Sequence, residues 1–108
     1  MTRTINIAVD YTDTPGARYI ADGPFSGEHF RETVLVPLFE NLNSTDKVVI
    51  ILDGVEGFAT SFLEEAFGGL ARKITPEKVL NHLELVSAED RYLVAEIHNY
   101  INAAKVQS

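Results

Sequence analysis

Ser61, with Glu64 three residues on, is the most chemically suggestive serine of the chain and lies within KVVIILDGVEGFATSFLEEAFGGLARKI, residues 47–74. Ser-x-x-Glu is the capping-box spacing, in which each side chain satisfies a free amide at the other end of a helix's first turn. A helix that starts just after a strand also turns free amides and the positive end of its dipole outward. Arg18 with Ser26-Gly27-Glu28 forms a second grouping, because an arginine fork beside free amides at a helix start suits phosphate or carboxylate. A tie between Arg18 and a nearby acid is the alternative. Asp10 and Asp53 form a third grouping, each at the end of an expected strand. If those strands are parallel neighbours, the two carboxylates meet at one rim with Asp13 or Glu56, where such a cluster can hold Mg²⁺. Strand-ending aspartates are ordinary, however, and need no metal to explain them.

Spacing excludes other chemistries. Gly57-Phe58-Ala59-Thr60-Ser61 is not a Gly-x-Ser-x-Gly elbow, and His29, His82 and His98 are spread over three elements, none placed as a base for Ser61. With no cysteine, disulfides, thiolate catalysis and cysteine-based zinc sites are excluded, and metal-ligand spacing is absent. No catalytic residue, metal or cofactor is expected.

The elements that must position these residues follow from hydrophobic period. Residues 47–52, all but Lys47 being Val, Ile or Leu, read as a strand covered on both faces and stopped by Asp53-Gly54. Residues 4–11 alternate Ile5, Ile7 and Val9 against polar or small neighbours, a first strand, and residues 18–20 are a short second strand after the Pro15-Gly16 turn. Ser26 caps a helix running to about Leu42, with a kink or break expected near Val36 because of Pro37. Ser61 opens the central helix, Thr75-Pro76 a short turn of helix through about Leu80, residues 82–86 a last strand, and Ser87 a final helix. This order predicts an α/β sandwich with a mixed, partly parallel sheet of about four strands packed with helices.

Stepping about 100° per residue from Ser61 places Leu63, Ala66, Phe67, Leu70 and Ile74 on a core face. Glu64, Glu65, Gly68 and Arg72 fall with Ser61 on the side expected to meet solvent, and Phe62 and Gly69 lie on the shoulder. Phe62 there either packs on a neighbouring helix or receives another surface. Gly68-Gly69 costs about 1 kcal/mol per glycine inside a helix, which implies either close approach of another backbone or an early helix end.

At 108 residues, 45% hydrophobic and 23% charged, the chain is expected to be one domain over residues 1–108. The first ten residues lack the features of a signal peptide, and no run approaches the roughly 20 apolar residues of a membrane span, so a cytoplasmic protein is expected. A net charge of −7 with nine scattered basic residues argues against binding nucleic acid.

The segment from Asp53 to Leu70, together with Pro15-Gly16-Ala17-Arg18 and Ser26-Gly27-Glu28-His29-Phe30-Arg31, resembles the bacterial STAS-like family of unknown function, and more distantly the STAS anti-sigma factor antagonists. In such antagonists an Asp-Ser-Ser-Gly at the helix start carries a serine that a partner kinase phosphorylates. The resemblance puts Ser61 at that position, with Thr60 in place of the Asp and Phe62 in place of the second Ser. It implies a non-enzymatic regulatory module that binds another protein, an ATPase or serine kinase of the histidine-kinase-like type. The docking surface it implies comprises Gly57, Phe58, Thr60, Ser61, Phe62, Glu65 and Gly69. Ser61 is then either a cap alone or a cap and a phosphorylation switch. The competing expectation is a small ligand-binding or Mg²⁺-dependent catalytic domain built on Arg18, Glu28 and the strand-end acids.

Overall fold

Strand β2, Lys47–Ile51, is the middle of the sheet in the computed structural model, which describes residues 1–104. Strand β1, Thr2–Asn6, and strand β3, Leu83–Val86, flank it, both parallel to it, in the order β1-β2-β3. Thr2 stands opposite Lys47 and Asn6 opposite Ile51, while Val48 pairs with Leu83 and Ile51 with Val86. The sheet of the described residues therefore has three strands rather than about four, and it is parallel throughout. Right-handed crossovers between strands taken in sequence order stack the connecting helices on one face. Burial agrees, since Val48, Ile50 and Leu52 are sealed while Val49 and Ile51 are only half-buried. The central strand is thus fully covered on one face, not on both as its composition suggested.

Residues 18–20 do not pair as a strand. Their polar groups serve the next helix instead: the Arg18 carbonyl accepts from the Glu28 amide at 3.0 Å, and the Ile20 amide donates to the Glu28 carboxylate at 2.9 Å. A single 3₁₀ turn, Ile20–Asp22, follows. Strand β1 also ends early, giving way to a π turn at Ile7–Tyr11. Asn6 accepts from the Val9 amide, and Asp10 accepts from the Asn6 amide at 2.8 Å, so short polar side chains outcompete the ladder for the backbone. Val9, expected to be buried, is 80% exposed.

Helix α1 covers residues 27–40 as one run, Gly27–Phe30, a π turn at Arg31–Leu35, and Val36–Glu40. Ser26 caps it as expected, its hydroxyl accepting from the His29 amide at 3.0 Å. Pro37 neither breaks nor ends it. The Val36 amide donates back to the Arg31 carbonyl, and this wider turn precedes the residue that has no N–H to give. Helix α2 covers residues 60–73 in the same manner, Thr60–Leu63, a π turn at Glu64–Gly68, and Gly69–Lys73. Helix α3, Pro76–His82, is capped by Thr75, whose hydroxyl accepts from the Lys78 amide at 3.1 Å. Helix α4, Tyr92–Ala103, begins later than Ser87. Ser87 closes a turn on Asp90 instead, accepting from its amide at 3.1 Å and donating to its carbonyl at 2.7 Å.

The core lies between the sheet and these helices, with Phe30, Phe39, Phe62, Phe67, Ile97 and Ile101 fully buried. Helices α1 and α2 touch at Gly27, where a Cβ would lie 2.5 Å from the Phe62 carbonyl oxygen and 3.2 Å from the Ala66 nitrogen. Among the described residues no helix is long and apolar enough to cross a membrane.

Candidate functional site

The loop from β2 to α2 is anchored at its root by Asp53, whose carboxylate accepts from the Ala88 and Glu89 amides at 2.9 Å. These backbone hydrogen bonds hold the Asp53 carboxyl below its ordinary pKa, Ala88 contributing most. Glu89 returns the contact by accepting from the Gly54 amide. Gly54 has φ +89°, a left-handed conformation that favours glycine, and so turns the chain away from the sheet. The Glu56 amide donates to the Asp13 carbonyl at 3.1 Å, tying the loop to the segment after β1.

The start of α2 differs from the expected capping box. Its cap is Ala59, with no side-chain cap bond, and the Ala59 carbonyl accepts from the Phe62 and Leu63 amides. Ser61 is the second residue of the helix, half-buried, and Glu64 turns away from it toward two arginines. Gly57 and Thr60 are exposed and Phe58 is half-buried. Phe62 is fully buried, its ring centroid 6.1 Å from that of Phe58 and 5.8 Å from that of Phe30. Of the two roles open to Phe62, the structure shows core packing; it supports Phe58 from beneath.

The polar side of α2 does not face water as the angular placement implied. Glu65 retains 9% exposure, and Gly68 and Gly69 are buried. Arg18 and Arg31, distant in sequence, reach across this side. Arg72 meets Glu64 at 2.6 Å, Glu64 meets Arg18 at 2.8 Å, and Arg18 meets Glu65 at 3.2 Å. Glu65 then meets Arg31 at 2.5 Å, Arg31 meets Glu32 at 3.1 Å, and Glu32 meets Lys73 at 3.2 Å. The hydrogen bond from Arg72 leads in holding the Glu64 carboxyl below its ordinary pKa, with Arg18 assisting against burial. Burial opposes the charges of Arg31 and Glu32, but their hydrogen bonds outweigh it, raising the one pKa and lowering the other. The two glycines make room for this ladder. A Cβ at Gly68 would meet the Glu64 carboxylate at 2.6 Å, and one at Gly69 would lie 3.1 Å from Arg31 Cδ. Neither a second backbone nor a helix end explains them.

The grouping of Arg18 with Ser26, Gly27 and Glu28 is brought together, but its donors are engaged. The Gly27 amide donates to the Ala17 carbonyl at 2.8 Å, the Glu28 amide to Arg18, and the His29 amide to Ser26. Arg18 takes the alternative offered by the sequence, a tie to acids. The strand-end acids do not converge either: β1 and β2 are parallel neighbours, but Asp10 folds back onto Asn6 and Asp53 onto β3's following loop. No group of three metal-binding side chains forms among the described residues. His29 is instead stacked on Tyr11, whose hydroxyl lies 2.6 Å from Nδ1, and burial pushes the Tyr11 pKa up to about 12. His82 is buried against the Asp46 carbonyl at 2.8 Å.

Sequence reasoning missed Arg31, Glu32, Arg72 and Lys73 as one network. Two glutamates followed by two glycines inside a helix was the available signal. A parallel sheet with helices over one face, and a strand, loop and helix start exposed at its end, define an α/β domain of STAS-like type. A family model for the STAS-like domain of unknown function (DUF4325) matches residues 26–93, and the chain belongs to that family. No curated protein and no solved structure matches it.

Proposed function

We propose that this chain is a cytoplasmic, non-enzymatic regulatory module that binds another protein through the face formed by Gly57, Phe58, Thr60 and Ser61. Phe62 supports Phe58 of that face from beneath, whereas Glu65 and Gly69 lie further along α2, against Arg31. The observation that carries this reading is the position of Ser61: half-buried in the first turn of α2, outside the cap, and flanked by exposed Gly57 and Thr60. A hydroxyl that does not cap its helix is free for another use. The partner proposed is an ATPase or serine kinase of the histidine-kinase-like type, as the resemblance to the STAS anti-sigma factor antagonists implies.

Phosphorylation would add about −1.5 to −2 charge and three acceptor oxygens at Ser61. The helix N-terminus favours that charge by about 0.3–1 kcal/mol. Glu64 and Glu65 are already neutralised by arginines and oppose it little. The free module therefore tolerates the phosphate. A partner that covered it would have to strip its water, so capture weakens. Calorimetric titration of a histidine-kinase-like ATPase into the Ser61→Glu variant should show affinity reduced about tenfold, equivalent to about 1.4 kcal/mol. Ser61→Ala should bind like the original chain. Equal affinity for both variants would remove the switch, and loss of binding on neither Ser61→Glu nor Phe58→Asp would remove the docking face.

A further inference from the structure

The ion-pair ladder has an uneven composition. It alternates Arg72, Glu64, Arg18, Glu65, Arg31, Glu32 and Lys73, so that four cations meet three carboxylates. Each carboxylate lies between two cations, and both ends of the series are cationic. Those ends, Arg72 and Lys73, are neighbours in the chain and line the same groove. Beside it is a groove of about 420 Å³ lined by Arg31, Glu32, Glu65, Gly69, Arg72 and Lys73. One positive charge is in excess there, within a chain whose net charge is −7.

Several local costs converge on the same place. Arg31 opens the π turn of α1, and Glu64, Glu65 and Gly68 lie in the π turn of α2. Such turns are uncommon within α-helices and concentrate at functional sites. Gly68 and Gly69 each weaken α2 relative to alanine, and Gly69 leaves room for the Arg31 side chain at the groove. Fixing a neighbouring pair of helices requires none of this, because an apolar contact would do so without desolvating charges. The arrangement is what an arginine-lined anion site requires: guanidinium groups held rigidly by carboxylates, with one charge left to satisfy.

We infer that this groove is a binding site for a phosphate-type oxyanion, held by Arg31, Arg72 and Lys73. A tetrahedral phosphate presents oxygens in more directions than a planar carboxylate, which suits cations carried on two helices around one groove. The groove exceeds the roughly 30 Å³ share of one water many times over, leaving space for a substituent on the phosphate. Free phosphate and the phosphate of a nucleotide share this chemistry. The site lies apart from Ser61 and does not depend on the docking reading.

The test is a ¹⁵N nuclear magnetic resonance titration of the whole chain with inorganic phosphate, and separately with ATP, at fixed pH and ionic strength. Saturable shifts at the Gly69, Arg72 and Lys73 amides and the Arg31 Nε–H are expected. Lys73→Gln should weaken the fitted affinity by about tenfold or more, whereas Lys78→Gln, on α3 and outside the ladder, should leave it unchanged. Lys73 is half exposed, so its substitution leaves the core intact. Tighter binding of ATP through the same amides identifies a nucleotide as the source, and equal binding identifies phosphate itself. Shifts that fail to saturate, that spread over all basic residues, or that persist unchanged in Lys73→Gln overturn the inference.

Discussion

Replacing Gly27 with alanine should destabilise the fold, although alanine is the better helix former. The propensity gain is at most about 1 kcal/mol, and smaller at a first helical position. Against it stands the helix contact: the added Cβ would lie 2.5 Å from the Phe62 carbonyl oxygen, 3.0 Å from Glu65 Cβ and 3.2 Å from the Ala66 nitrogen. Two of these neighbours are backbone atoms of α2 and cannot rotate away. Helix α1 must withdraw, loosening the packing of Phe30 on Phe62 and the reach of Arg31 to Glu65. Overpacking of this kind costs about 1–3 kcal/mol, leaving a net loss of about 1–2 kcal/mol. Urea denaturation should show the midpoint lowered by about 1 M at unchanged slope. Gly57→Ala serves as the control, since a Cβ there has nothing within 4 Å. That variant should be neutral or more stable by up to about 1 kcal/mol. If Gly27→Ala matches or exceeds the original chain, close helix contact is not the reason for Gly27.

Ser26→Ala removes the cap of α1 and should cost about 1 kcal/mol, visible as a lower melting temperature. Arg31→Met removes the Nη1 bonds to the Glu65 carboxylate and carbonyl and the Nε bond to Glu32, and should cost about 1.5–3 kcal/mol in thermal melts; Arg31→Lys should recover only part of it, because one ammonium cannot serve Glu65 and Glu32 from two separate nitrogens. Asp53, Glu32 and Glu64 are held below their ordinary pKa values in the folded state, so the stability they add is complete above the unfolded carboxylate range. It is lost as pH falls below about 4, and an acid titration followed by circular dichroism should unfold Asp53→Asn with a shallower pH dependence than the original chain.

The structure shows why some of this was readable in the sequence and some was not. Some signals confined to a few neighbouring residues held: Ser26 and Thr75 cap their helices, and the apolar run before Asp53 is the central strand, whereas Ser61 and Ser87 do not cap theirs. Residues 18–20 were too short a run to outweigh the demands of the α1 start, which took the Arg18 carbonyl and Ile20 amide. The alternation of residues 4–11 continued past Asn6 in the sequence but not in the sheet, because Asn6 and Asp10 bond locally. The wheel of α2 gave sound angles, yet its inference that a polar side meets water failed. Glu64 and Glu65 are covered by arginines 46 and 34 residues away, a distance no local period can report. The capping box failed for a related reason: Glu64 had stronger partners in Arg72 and Arg18 than the Ser61 amide. Of the residues placed on the docking surface, Gly57, Phe58, Thr60 and Ser61 remain accessible, whereas Phe62 was claimed by the core and Glu65 and Gly69 by the ladder.

The Asp53 clamp makes the two loops at the end of the sheet a single reporter circuit. Its carboxylate holds the Ala88 and Glu89 amides, 35 and 36 residues along the chain, and those protons exchange with solvent only when the grip opens. Hydrogen exchange at Ala88 and Glu89 therefore reads the state of the root from which the Gly57–Ser61 face projects. A partner that bends the loop will speed exchange at these amides, and one that settles on it unchanged will slow it, without any label on the binding face.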